Sequence, residues 1–257
     1  MNILVIGDNC IDEFVYGDIH RVSPEAPVPV IVKSHEHSND GMAMNVYNNI
    51  KSLGANAYIL TNGNSIIKRR FVDNRSGQMV LRVDENDRCD RISEVNLSKI
   101  YHNKFDGAID IDAIAISDYC KGFLHKDDIK YICDNNENVF VDTKKQLGEW
   151  IKNADFIKIN ELEYKKNYET FSENGFEDKL IVTLGGKGCR YMGKIYPVRE
   201  VPVKDVSGAG DTFLAALVFG YLDTGNIVEA IEFAQKCTTV VVQRQGVTTV
   251  KLEDLDE

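Results

Sequence analysis

The sequence predicts an α/β fold: a mostly parallel central sheet flanked by helices, with a small β-subdomain projecting from it. Three observations carry this expectation. Short apolar runs rich in Val and Ile recur between turn residues, as strands buried on both faces require. Helical patterns lie between several of these runs, and strands alternating with helices build parallel sheets. One N-terminal stretch with three prolines breaks the alternation.

Taken in order, residues 2–6 form a first strand that enters a loop at Gly7-Asp8. Residues 14–33 contain Phe14-Val15-Tyr16 and Val28-Pro29-Val30-Ile31-Val32 without helical period. Pro24, Pro27 and Pro29 exclude a fully bonded central strand there and favour an edge or an excursion. A helix over 42–53 leads to a strand at 57–61. Residues 66–71 and 79–83 alternate and join 14–33 in the projecting subdomain. A helix at 92–104, a strand at 113–117, a helix at 126–134, and strands at 138–141 and 156–159 follow. A helix at 161–168, a strand at 180–184, and long helices near 210–223 and 227–242 complete the chain. The acidic end, Glu253-Asp254-Leu255-Asp256-Glu257, reads as a solvated tail. Ligands of such sheets gather outside the carboxyl ends of the strands.

The 257 residues are expected to form a single domain, and 43% hydrophobic against 27% charged residues excludes a wholly disordered chain. Thirty Lys+Arg against 40 Asp+Glu give a net charge of −10, which argues against a constitutive role on nucleic acid. Cysteines 10, 89, 120, 133, 189 and 237 show neither a C-x-x-C pair nor zinc-finger spacing and read as idle thiols in a reducing compartment. The N-terminus lacks a basic n-region, and Phe213–Tyr221, the longest apolar stretch, falls far short of the ~20 residues of a membrane span. A soluble, cytoplasmic protein without membrane partners is expected.

Asp205-Val206-Ser207-Gly208-Ala209-Gly210-Asp211-Thr212, followed at once by an apolar helix, is the most informative segment. Two glycines permit a tight turn that leaves amides exposed at a helix N-terminus, a geometry that binds anions. Asp211 would then sit beside a bound phosphoryl group, where it could accept a proton from an attacking hydroxyl. The alternative is that the turn only shapes and caps the helix. Phe213 stands where a dinucleotide fingerprint needs its third small residue. Gly185-Gly186-Lys187-Gly188 fails as a P-loop and reads as a turn between strands, with a nucleotide contact as the lesser reading. Asn160 and Glu163 suit Mg²⁺ or, equally, a capping box. Asp8 and Asp12 would grip sugar hydroxyls or fix a turn. His35 and His37 lack a third metal ligand.

Together these pieces resemble the ribokinase-like (PfkB) carbohydrate kinases, whose C-terminal signature ends in Gly-Ala-Gly-Asp. Arg21-Val22-Ser23-Pro24-Glu25-Ala26-Pro27-Val28-Pro29-Val30 is similar to the lid segment of the heptose 7-phosphate kinase branch of that family. Gly7-Asp8 with Asp12, Asn45 through Ala55, Ser117-Asp118-Tyr119 with Lys121-Gly122, Asp142 with Lys144, Asn160 with Glu163, and Thr183 through Gly188 extend the match along nearly the whole chain. The resemblance implies a ribokinase-like fold with β-lid segments at about 13–35 and 66–84. It further implies Asp211 as catalytic base and the amides of Gly208, Ala209 and Gly210 as anion hole. Asn160 and Glu163 would organise Mg²⁺ and its waters. Lys144, Asn160, Thr183, Gly185 and Gly188 would lie along ATP, and Asp8, Asp12, Gly41, Asn45 and Asp118 would lie at the sugar. Lys68 and Arg70 would meet a substrate phosphate.

Three departures from the family shape the expectation. Met42 stands at the second glycine of the usual Gly-Gly pair, where a side chain would crowd the backbone or require a φ that Met dislikes. A helix and strand that relatives carry are missing between Leu60 and Ile66, which would shorten the sheet and open the pocket rim. No nucleotidyltransferase sequence follows residue 250. The expected activity is ATP- and Mg²⁺-dependent phosphorylation of D-glycero-β-D-manno-heptose 7-phosphate at O1 to the 1,7-bisphosphate, by a homodimer paired through its lids. A kinase for another sugar or sugar phosphate, or a non-catalytic phosphosugar- or nucleotide-binding descendant, are the alternatives.

Overall fold

Ile3, Leu4, Val5 and Ile6 are all fully buried, and their alternation sets the architecture: Ile3 and Val5 join one hydrophobic cluster while Leu4 and Ile6 join another. The computed structural model describes residues 1–168 and 175–255. The chain begins with β1 (Asn2–Gly7), the long strands β2 (Asn9–Val22) and β3 (Pro29–Met42), α1 (Ala43–Ser52), β4 (Asn56–Thr61), β5 (Ile66–Asp73) and β6 (Met79–Glu85). Then come α2 (Glu94–Leu97), β7 (Ile100–Tyr101), β8 (Lys104–Phe105), β9 (Ile109–Asp110), β10 (Ala113–Asp118), α3 (Lys126–Asn135), β11 (Val139–Thr143), β12 (Phe156–Asn160) and α4 (Glu161–Lys166). The last described elements are β13 (Leu180–Thr183), β14 (Cys189–Tyr191), β15 (Lys194–Tyr196), α5 (Ala209–Thr224) and α6 (Ile227–Val241).

The main sheet runs β15-β14-β13-β12-β11-β10-β1-β4. From β4 to β13 every pairing is parallel, and β14 and β15 add an antiparallel edge. One face is covered by α1, α5 and α6, the other by α3 and the segments around Ile92, Ile100 and Phe123. α5 is apolar nearly all round, with Phe213 through Val218 buried. Among the described residues no helix is long and apolar enough to cross a membrane.

A second sheet, ordered β3-β2-β5-β6, projects from the first as the expected subdomain. The prolines act as anticipated: Pro29 opens the edge strand β3, and Pro24 and Pro27 lie in the connection before it. β4 is the outer strand of the main sheet and reaches β5 through residues 62–65 alone. Asn62 fastens that short connection, accepting from the Asn9 amide at 2.7 Å and donating to the Asn64 carbonyl at 2.6 Å.

Two expectations are corrected. Residues 92–104 form only the single turn α2, capped by the Ser93 hydroxyl on the Asn96 amide at 3.2 Å, and then enter a small sheet of β7, β8 and β9. The cause lies at His102 and Asn103, whose φ values of 50° and 53° make a two-residue hairpin turn incompatible with helix. The acidic end is not a solvated tail as far as Leu255. Leu252–Leu255 form a 3₁₀ turn, and Asp254 pairs with Arg244 at 2.8 Å. Asp256 and Glu257 lie outside the described residues.

Candidate active site

Gly208 adopts the left-handed conformation (φ 76°) immediately before α5, and a Cβ there would lie 2.6 Å from Nδ2 of Asn45. This turn opens the N-terminus of a long apolar helix at the carboxyl ends of the central strands. The amides of Gly208, Gly210 and Asp211 make no main-chain hydrogen bond among the described residues. Ala209, expected as a third donor, gives its N–H to the Val206 carbonyl at 3.2 Å. Beneath Gly210 lies the ammonium of Lys158, 3.1 Å from where a Cβ would stand. Unpaired amides, the helix dipole and a buried cation therefore converge on one point.

Asp211 faces that point. It is 4% exposed and accepts hydrogen bonds from the Tyr119 hydroxyl at 2.8 Å and from Asn45 Nδ2 at 3.1 Å. Burial raises its carboxyl to about 6, against the opposing pull of the Tyr119 and Asn45 hydrogen bonds. A carboxyl in that range suits a general base near neutral pH. Asn45 is itself oriented by Asn49, whose Nδ2 donates to Asn45 Oδ1 at 3.0 Å. Lys158 is 5% exposed and bonds Asp142 at 2.6 Å. Burial works against its charge, and the Asp142 carboxylate more than offsets this, so its pKa rises. Neither Lys158 nor Tyr119 was among the expected site residues.

On one side of Asp211 a cavity of about 610 Å³ runs between β13 and α6. Thr183, Gly185, Gly188, Ala209, Gly210 and Phe213 are among its walls, so the three groove residues expected from sequence line one space with the helix N-terminus. Gly185–Lys187 form a short 3₁₀ turn joining the antiparallel strands β13 and β14, as the turn reading anticipates. Lys144 follows β11, with its ammonium 3.9 Å from the centroid of the Tyr119 ring. Asn160 and Glu163 complete a capping box at α4: Asn160 Oδ1 accepts from the Glu163 amide at 2.9 Å, and one Glu163 oxygen accepts from the Asn160 amide at 2.8 Å. Among the described residues no cluster of three His, Cys, Asp or Glu could encage a metal. An amide and a carboxylate fit a hydrated Mg²⁺ that takes few protein oxygens, and Asn160 and Glu163 are the residues that would hold it.

On the other side, Asp12 and Lys68 point in from the projecting sheet, both 8% exposed. Arg70 bonds Asp12 at 2.7 Å and lies 5.0 Å over the Phe14 ring. Gly41 abuts the Asp12 carboxylate, leaving no room for a side chain. A smaller cavity of about 330 Å³ is lined by Ile11, Asn39, Asp40, Asn45 and Thr248.

Two expected sugar ligands are engaged within the chain. Asp8 is fully buried and fixes a turn: its oxygens accept from the amides of Tyr119 (2.7 Å), Lys121 (3.1 Å) and Phe123 (3.1 Å). Asp118 has no exposed side-chain surface and is taken up by Lys145 at 2.6 Å and by the Thr143 hydroxyl. Burial raises its carboxyl above the ordinary range, opposed by the Lys145 ammonium. His35 and His37 stack on Tyr16 and Phe14, with ring centroids 4.7 and 5.0 Å apart.

Met42 has φ 53° and ψ −130°, a combination natural only to glycine and costing on the order of 1–3 kcal/mol. The sequence expectation of a disliked φ is met. The thioether is 2% exposed and packs with Cys10 and Ile66, and Cys89 and Tyr119 close over that cluster.

Residues 116–255 match the profile of the pfkB family carbohydrate kinases, and the chain belongs to that family. It is 34% identical to the Bifunctional protein HldE of a Nitratiruptor species, over 99% of this chain and 64% of that protein. It is 32% identical to the Bifunctional protein HldE of Campylobacter jejuni (strain RM1221), over 98% of this chain and 63% of that protein. The chain thus spans just under two thirds of the length of these relatives. The crystal structure of ribokinase from Thermotoga maritima superposes with a TM-score of 0.74 at 19% identity, covering 99% of this chain and 97% of the other. That of phosphofructokinase-2 from Escherichia coli in complex with potassium gives 0.71 at 13% identity, covering 99% and 96%. The fold is ribokinase-like, with the four-stranded sheet as its lid.

Proposed function

We propose that the protein transfers the γ-phosphoryl group of ATP to a sugar phosphate, D-glycero-β-D-manno-heptose 7-phosphate, at its anomeric hydroxyl. One observation carries the reading: a buried carboxylate, Asp211, stands in the first turn of α5 beside the unpaired amides of Gly208 and Gly210. The acceptor hydroxyl gives its proton to Asp211 as its oxygen forms a bond to the γ-phosphorus, and the bond from phosphorus to the β–γ bridging oxygen breaks to release ADP. The amides, with Lys158 beneath them, stabilise charge on the transferring group, which is most of what phosphoryl transfer asks of a protein. ATP would lie along the groove of Thr183, Gly185 and Gly188, with Lys144 toward its phosphates. Mg²⁺ bound through Asn160 and Glu163 would neutralise phosphate charge. A cytoplasmic location accords with ATP as donor.

The sugar is argued from the lid. Lys68 and Arg70 bring two cations to the acceptor side, and Asp12 and Asn45 offer a carboxylate and an amide to hydroxyls. The lid segment Arg21–Val30 and the likeness to proteins named HldE support a heptose phosphate. Val22, Val28 and Val32 are exposed on the lid, and pairing of two lids in a homodimer would cover them. Met42 favours one neighbouring reading, a kinase for another sugar phosphate, because it closes backbone that a second glycine would leave open.

The test is ADP release from Mg·ATP with D-glycero-β-D-manno-heptose 7-phosphate beside hexose and pentose phosphates, with the product read by ³¹P NMR. Fastest turnover on the heptose with a new anomeric phosphate is the expected result. Faster turnover on another sugar would discard the substrate and keep the reaction. ATP binding with silence across the panel would indicate a non-catalytic descendant.

A further inference from the structure

Tyr119 touches the proposed base, yet neither the signature nor the groove accounts for it. Its hydroxyl donates to Asp211 Oδ1 at 2.8 Å, while Asn45 holds Oδ2 at 3.1 Å. Two donors from two separate elements, the loop after β10 and helix α1, fix the plane of the carboxylate. A carboxylate has roughly four acceptor positions, so two donors leave it free to receive an acceptor hydroxyl. The tyrosine is in turn held at both ends. Its amide donates to Asp8 at 2.7 Å, which gives that buried acid a purpose away from the sugar. Its ring packs against Cys10, Met42 and Ile66 and carries the ammonium of Lys144 at 3.9 Å and that of Lys68 at 5.4 Å.

The strained Met42 belongs to the same assembly. Its backbone is glycine-like, but its side chain is buried in the cluster behind the tyrosine ring. Glycine at that position would relax the chain and leave a hollow under the ring. Strain of this kind persists only where surrounding packing over-determines it.

We infer that Tyr119 is a positioning residue for Asp211, its hydroxyl fixing the carboxylate and the Met42 cluster seating its ring; this rests on the reading of Asp211 as base. The phenol stays protonated, because burial and then the Asp211 charge hold its pKa well above 10, so it donates throughout the working range. Other groups also face Asp211: Lys158 from β12, Asp142 from β11, Lys144 after β11, and Cys10 from β2. A Tyr119→Phe change leaves all of these in place and deletes one donor to the ionised carboxylate. The proton affinity of Asp211 then rises.

The experiment is a ¹³C NMR titration of protein labelled at aspartate carboxyl carbons, in wild type, Tyr119→Phe, Met42→Gly, Met42→Leu and the double variant Met42→Gly/Tyr119→Phe. The Asp211 signal is assigned by its loss in Asp211→Asn, and the pH dependence of kcat is measured alongside. Tyr119→Phe is expected to raise the Asp211 titration, and the acid limb of kcat with it, by about one pH unit. It lowers kcat about tenfold and leaves KM for ATP unchanged. Met42→Gly shifts the titration the same way by less and adds nothing in the Tyr119→Phe background, and the volume-conserving Met42→Leu restores wild-type behaviour. An unmoved titration in Tyr119→Phe overturns the inference. An unmoved titration in Met42→Gly overturns the part assigned to the cluster. The titration is read without any acceptor, so it decides the matter whichever sugar is the substrate. Turnover surviving in Asp211→Asn would instead sink the base assignment, and the two failures are thereby told apart.

Discussion

The two sides of Asp211 are built from different materials. Toward the groove of Thr183, Gly185 and Gly188 the contacts come from main chain and turn geometry: a left-handed glycine, unpaired amides and a tight hairpin. Toward the lid they come from side chains of four distant segments: Asp12, Asn45, Lys68 with Arg70, and Tyr119. Amides cannot be substituted without moving the chain, whereas lid side chains can change one at a time. Under the proposed reading, the groove side would serve any phosphoryl donor and the lid side would select the acceptor.

That contrast is broken most severely where the groove side relies on a side chain. Lys158→Met would leave Asp142 buried without its partner, at a cost of about 3–5 kcal/mol in unfolding free energy measured by urea denaturation. Gly208→Ala should damage the groove side through the main chain alone. Its left-handed φ and the close approach of Asn45 force the turn to shift, with a fall of about 10²-fold in kcat for every acceptor tested. Arg70→Gln sharpens the comparison from the lid side with the smallest effect. KM should rise about tenfold for a phosphorylated acceptor, while KM for ATP and for unphosphorylated sugars stays level. An equal rise for both classes of sugar would show that Arg70 orders Asp12 and does not read phosphate.

The same division decided what the sequence disclosed. Gly208-Ala209-Gly210-Asp211 announces itself because its chemistry is local, two glycines and an acid before an apolar helix. Lys158 was hidden inside Phe156–Asn160, which reads as a buried strand; a lysine in such a run needs a buried partner, and Asp142 at the end of another strand was the available signal. Tyr119 was visible as part of a motif without a role, because its contact with Asp211 spans a long stretch of chain. Asp8 and Asp118 were legible only as acids that follow strands. An acid after a strand looks the same whether it meets a ligand or its own neighbours, and here both are consumed by amides, a hydroxyl and a lysine. Helical spacing misled at 92–104 because two residues with positive φ at a hairpin turn leave no trace in hydrophobic period.

The central claim is that Asp211 takes the proton of the acceptor. Initial rates of ADP formation from pH 5 to 9, for wild type and Asp211→Asn with the best acceptor, test it most directly. Burial raises the carboxyl to about 6, so the base form predominates above that pH and is lost below it. Wild-type kcat is expected to be level above this point and to fall tenfold per pH unit beneath it. Asp211→Asn should be slower by about 10²–10⁴-fold, without an acid limb, and with ATP binding intact. A variant that keeps the wild-type rate, or keeps its acid limb, would contradict the account.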